Sequence, residues 1–177
     1  MENLEDFDFR TRQFLIWAVY GRAMMGAHRL EKKLSLLLVQ RATDICPSGE
    51  LRDQEIKAID RLTLGPLINR FLTEFSASEN LAEELDNMLF SRNELTHRIS
   101  DMALNAADRH TQWTSRLIEE IENISTYFSE TCALLEPYSK EWMDGKEITQ
   151  ERLDKVGARL FPNAHMNLSD TKDSRNS

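Results

Sequence analysis

Glycine and proline are scarce, with 6 and 4 among 177 residues. So few backbone breakers exclude a fold of many short strands and favour long helices. Cysteine is scarcer still: only Cys46 and Cys132, far apart in the chain. They form no CxxC pair and no zinc spacing, so two reduced thiols are expected rather than a disulfide framework or a thiolate-held metal. Long apolar runs are missing too. The longest, FLIWAV and LSLLLV, fall far short of the roughly 20 residues that cross a bilayer, so no membrane span is expected. Positive charge is in deficit: 22 Lys and Arg stand against 30 Asp and Glu, a formal net charge of -8. Such a chain does not coat nucleic acid through bulk charge. Any RNA or DNA contact has to come from a local basic patch, which a dimer can concentrate at its two-fold axis. The acidic start, MENLEDFDFR, lacks a secretion-signal pattern. A cytoplasmic location is therefore expected, and the NIS and NLS tripeptides carry no glycosylation meaning.

What is present reads as helix. Hydrophobic residues make up 41% and charged residues 29%, ordinary values for a globular domain with a real core. Met24, Ala27, Leu30, Leu34 and Leu37 recur at three- and four-residue spacing, with Phe14 and Trp17 upstream. They predict one helix over 8–41 that ends near CPSGE at 46–50. A short charged helix or turn covers 50–61. In 62–75 Pro66 suits a helix start, and Leu67, Phe71 and Phe75 share a face. SASE at 76–79 matches a capping box, with Ser76 as the cap. The helix it opens carries Leu81, Leu85, Met88, Leu89, Leu95, Ile99 and Met102. A last long helix is expected over about 108–143, on a stripe of Trp113, Leu117, Ile121, Ile124, Phe128 and Leu135. A short amphipathic helix follows over about 149–160. The fold class is all-α, a bundle of about five helices over 1–161. The polar, aperiodic tail 162–177 is expected to be disordered.

The stretch FSRNELTHRIS at 90–100 stands out. It sets an arginine, an asparagine and a histidine within six residues of an acidic chain. On an α-helix Asn93 and His97 share a face, as do His97 and Asp101. Arg92 and His97 are five apart, about 140° around the axis. Convergence of these two needs a helix that begins or kinks near Arg92, or a second copy of the chain. A cleft that joins them suits RNA cleavage. An arginine fork binds a phosphate and stabilises growing charge. A histidine moves the proton of a 2′-hydroxyl or of the leaving oxygen. An asparagine orients either group. R-N-x-x-x-H arises by chance in about 2% of chains this long, so the pattern alone does not decide.

RNELTH resembles the R-x(4–6)-H motif of HEPN domains (higher eukaryotes and prokaryotes nucleotide-binding), in the form with asparagine after the arginine. TLGPLI at 63–68, the leucine-rich helix leading into the motif and the long first helix are also similar to small bacterial HEPN proteins of toxin–antitoxin and phage-defence systems. The resemblance spans about residues 10–135, and only RN…H is sharp. It implies a metal-independent endoribonuclease without a cofactor, active as a homodimer with the motif at the dimer cleft. An antitoxin or regulatory protein is the implied partner. Arg92 and His97 are then the catalytic pair, Asn93 the polar helper, and a 2′,3′-cyclic phosphate with a 5′-hydroxyl the product. HEPN toxins paired with a nucleotidyltransferase antitoxin often carry a tyrosine two residues after the histidine. Here that residue is Ile99, which puts silencing by that route in doubt.

Other readings compete. Glu94 and His97 also form E-x-x-H, half of a ferritin-like di-metal site, but no inward glutamates complete the set. A HEPN-like bundle also serves as a non-catalytic interaction module, because fold alone does not grant activity. Arg98 and Arg109 extend a candidate RNA-binding surface unless neighbouring acids take them, and Glu94 lies within reach of Arg98. His28 reads as a half-buried helix residue, His110 as lying near a helix start, and His165 as part of the tail. Trp17, Trp113 and Trp142 read as core or interface.

Overall fold

The structure, a computed structural model, describes residues 8–46, 49–99, 101–102 and 111–146. Helix α1 spans Phe9–Ile45, α2 Gly49–Ile59, α3 Leu64–Phe75 and α4 Glu79–Glu94; a π-helical turn, Leu95–Ile99, follows α4 directly. Helix α5 spans Thr111–Leu134 and α6 Glu136–Gly145. No strand occurs among the described residues, so the all-α expectation holds. The expected helix at 149–160, the tail at 162–177, Arg109, His110 and His165 lie outside the described residues. The chain divides into two compact units, Met1–Glu136 and Pro137–Ser177. The first contains α1 to α5; the second contributes most of α6.

Helix α1 begins where Asp8 accepts a 2.8 Å hydrogen bond from the Thr11 N–H. That backbone bond also holds the Asp8 carboxyl below the usual carboxylate range. Ile16, Ala23, Leu30 and Leu37 are buried every seven residues, with Val19, Ala27 and Leu34 between them. The expected upstream members of this stripe are corrected: Phe14 is 72% exposed and Trp17 36% exposed. Continuing the seven-residue repeat backward from Leu30 leads to Ala23 and Ile16, not to Phe14. Trp17 instead packs edge-on against Tyr20, centroids 5.5 Å apart.

Helix α1 packs against α5, α3 and α2, while α4 lies against α3 and α5. The run of α1 beside α5 is parallel. Arg22 meets Glu122 at 3.0 Å, and further along Lys33 meets Glu136 at 2.9 Å. The two helices approach closely at Gly26, where an added Cβ would come within 3.1 Å of the Phe128 Cβ. Glycine there lets the two backbones approach, and Phe128 is fully buried in return. Each such side chain contributes about 1.5–3 kcal/mol when removed from water.

Two boundaries differ from expectation. Ser76 does not cap α4. It takes the left-handed conformation (φ 48°, ψ 45°) that terminates α3, and Ser78 Oγ accepts from the Leu81 N–H at 3.3 Å instead. With the cap moved to Ser78, Glu79 becomes the first helical residue, so the reciprocal bond of a capping box does not arise. The long final helix is broken at Leu135, whose N–H bonds to the Cys132 carbonyl at 3.2 Å. Pro137 has no N–H to continue the ladder, and its ring collides with the carbonyl four residues back. On α5 the buried stripe is Thr114, Leu117, Ile121, Phe128 and Thr131, running on to Leu135. Trp113, expected in that stripe, is 49% exposed because Thr114 takes the inward position.

Candidate active site

Arg92 sits inside an apolar stripe. The buried residues of α4 and the turn after it are Leu81, Leu85, Met88, Leu95 and Ile99. Arg92 comes four after Met88 and three before Leu95, the spacing of a core position. Its side chain is therefore drawn partly inward, 29% exposed, toward α1. There its Nη2 lies 4.0 Å from Glu31 Oε1. The other oxygen of Glu31 lies 3.7 Å from His28 Nδ1. Both separations are too long for hydrogen bonds. Arg92 Nη1 donates to Asn93 Oδ1 at 3.3 Å. A guanidinium carries five N–H donors, so the fork keeps donors for an anion.

The π turn acts on His97. In a straight α-helix His97 stands about 140° from Arg92 and about 40° from Asn93. A π turn bonds i to i+5 and accommodates one extra residue. A completed insertion turns everything beyond it back by about 100°. His97 lies midway through the turn, so the 140° separation of a straight α-helix does not apply to it. Leu95 and Ile99, at the two ends of the turn, both stay fully buried, while His97 is exposed. The Arg92 carbonyl marks the transition. It accepts from the Leu95 N–H, which also bonds Ser91, and from Thr96 Oγ1 at 2.9 Å.

Arg98 is committed elsewhere. Its Nε donates to Glu94 and its Nη2 donates to Glu120 Oε1 at 2.7 Å, across to α5. The Glu94 hydrogen bond, aided by the Glu120 charge, holds its pKa above the usual arginine value. Of the two outcomes left open in the sequence, phosphate ligand or ion pair, the structure shows the ion pair. The same contact occupies the carboxylate of Glu94. Among the described residues no group of three or more His, Cys, Asp or Glu is placed to hold a metal ion. Ile99, two after His97, is buried, so that position presents no side chain for modification. Asp101 is helical and exposed.

Two residues near Arg92 carry no signal in the sequence. Glu31 and His28 lie some sixty positions upstream on α1, and only the tertiary fold brings Glu31 to Arg92. His28, expected to be half-buried, has a side chain 65% exposed. Phe90 shares the outer side of α4 with Asn93 and is 67% exposed. No protein-family model, curated protein or solved structure matches this chain.

Proposed function

We propose that this protein is a metal-independent endoribonuclease of HEPN type, acting as a homodimer in a toxin–antitoxin or phage-defence system. The observation that carries the reading is the π turn Leu95–Ile99, which contains His97 and begins three residues after Arg92. The sequence alone left these two on different sides of a helix. A π turn is a less regular hydrogen-bonding arrangement than the α-helix, and such turns recur at functional sites.

In this reading Arg92 holds the scissile phosphate with the donors that Asn93 and Glu31 leave free. The 2′-hydroxyl of the RNA attacks phosphorus as a base removes its proton. The bond from phosphorus to the 5′-oxygen breaks, and an acid protonates the leaving oxygen. The products are a 2′,3′-cyclic phosphate and a 5′-hydroxyl. Each protomer offers one His97, and a two-fold pairing supplies two, one for each proton transfer. The exposed Phe90 beside the motif supports a second copy on this face, since an isolated large apolar side chain next to functional groups suits an interface.

The second reading, a non-catalytic HEPN-like interaction module, is favoured by charge pairing. Arg92 faces Glu31, and Arg98 is neutralised by Glu94 and Glu120. Incubating purified protein with structured and single-stranded RNA, in the presence of chelator, separates the two. Cleavage that leaves cyclic phosphate ends, abolished by Arg92→Ala and by His97→Ala with the oligomer intact, is expected of the nuclease. Wild-type protein that cleaves no RNA, alone or with its genomic neighbours, leaves the module.

A further inference from the structure

A groove lies on the opposite flank of α1, along its seam with α5. Three cations line that flank: Arg22, Arg29 and Lys33. The outer two are closed by carboxylates, Arg22 by Glu122 at 3.0 Å and Lys33 by Glu136 at 2.9 Å. Arg29 lies between them and is exposed. Beneath it opens a cavity of about 270 Å³ lined by Gly26, Arg29, Lys33, Phe128, Ser129 and Cys132. A second cavity of about 280 Å³ shares Ser129 and extends the groove toward Arg22 and Ser125.

We infer that this groove binds a small phosphorylated anion, with its phosphate held between Arg29 and Lys33. The donor set fits that class. Arg29 offers a planar fork matched to two phosphate oxygens, and Lys33, one helical turn on, offers a point charge. Together they neutralise a dianion. The lack of a side chain on Gly26 keeps the floor open against the Phe128 ring. The cavity is below the range that holds drug-sized ligands, so it selects a phosphate with little attached. Glu136 is an internal competitor. It is 67% exposed while Lys33 is only 20% exposed, so the carboxylate can move into solvent and surrender the lysine. The site is separate from Arg92 and does not depend on the nuclease reading.

Cys132 reports occupancy. Burial pushes its thiol pKa up, while the charges of Lys33 and Arg29 pull it down. A bound anion covers the sulfur and cancels both charges, and each effect slows alkylation. In a Cys46→Ser background, which leaves Cys132 as the one thiol, alkylation is timed with inorganic phosphate or pyrophosphate and with acetate or chloride at matched ionic strength. Phosphate and pyrophosphate are expected to slow the reaction in a saturable way. Arg29→Gln should raise the half-protecting concentration about tenfold or more, the loss of a charge-assisted contact. Glu136→Gln should lower it, a gain that a merely structural groove would not give. Unchanged alkylation in phosphate overturns the inference. So does protection that survives Arg29→Gln, or protection by acetate equal to that by phosphate.

Discussion

Replacing Glu31 by glutamine should make this protein less stable and better at holding a phosphate. Glu31 Oε1 lies 4.0 Å from Arg92 Nη2, with side chains 26% and 29% exposed. Two unit charges at that distance attract by about 4 kcal/mol at an effective dielectric constant of 20. Partial desolvation of both groups and solvent screening offset most of it, leaving about 1 kcal/mol net. In a chain of this size that lowers the melting temperature by about 2–4 °C. The same 1 kcal/mol acts in the opposite direction on an anionic ligand. With the carboxylate gone, Arg92 no longer divides its charge between Glu31 and a phosphate, and affinity should rise about fivefold. The assay pairs thermal unfolding with fluorescence anisotropy on an RNA whose 2′-hydroxyl at the cleavage site is removed, so that binding is read without turnover. A variant that melts earlier and binds RNA no better, or worse, refutes the reasoning. It would mean that Arg92 belongs to the core and does not reach a ligand.

Tyr127 donates to the Glu84 carboxylate between α5 and α4, and burial, with Glu84 second, pushes its pKa up to about 12. Because the folded value lies above the unfolded one of about 10, this contribution is complete below about pH 10 and is lost as pH climbs through about 12. Tyr127→Phe should cost about 1–2 kcal/mol in urea unfolding at neutral pH and should flatten the decline between pH 10 and 12; an unchanged alkaline limb counts against the pairing. Phe90→Glu should turn the proposed dimer into a monomer by light scattering, while chemical unfolding of the monomer moves by no more than about 0.5 kcal/mol. A dimer that persists moves the interface elsewhere. Phe128→Ala, by contrast, removes a fully buried ring at the Gly26 crossing and should cost about 3–5 kcal/mol in the same unfolding experiment.

The helices were legible because their apolar residues recur with helical period over long stretches. Helix α1 runs from Phe9 to Ile45, close to the 8–41 expected, since nothing within it breaks the ladder. The misjudged places are those where two local preferences compete. Ser76 and Ser78 are both credible caps, and the choice falls to Ser78 because Ser76 is needed to turn the chain out of α3. The apolar stripe of α5 runs on to Leu135, but Pro137 overrides it. Trp113 and Thr114 are adjacent candidates for one inward position. The smaller, polar residue takes it, which hydrophobicity alone does not anticipate.

The candidate site was legible in part for the same reason. Arg92, Asn93 and His97 are near neighbours in sequence, so local pattern reveals them. Glu31, His28 and the Arg29 groove depend on contacts between helices distant in the chain, and no spacing within one segment encodes them. Nor does periodicity anticipate the π turn, because Leu95 and Ile99, four apart, share a face of an ordinary α-helix as well.

Sequence alone determined that this chain is helical, that its helices bury one face each, and that a cationic and an imidazole group stand close together in an acidic protein; these follow from short-range periodicity and composition. Tertiary packing decided the rest. It set which acids Arg92 and Arg98 meet, placed His97 in a π turn, and opened a groove beneath Arg29, because distances between segments are fixed only when their apolar faces interlock.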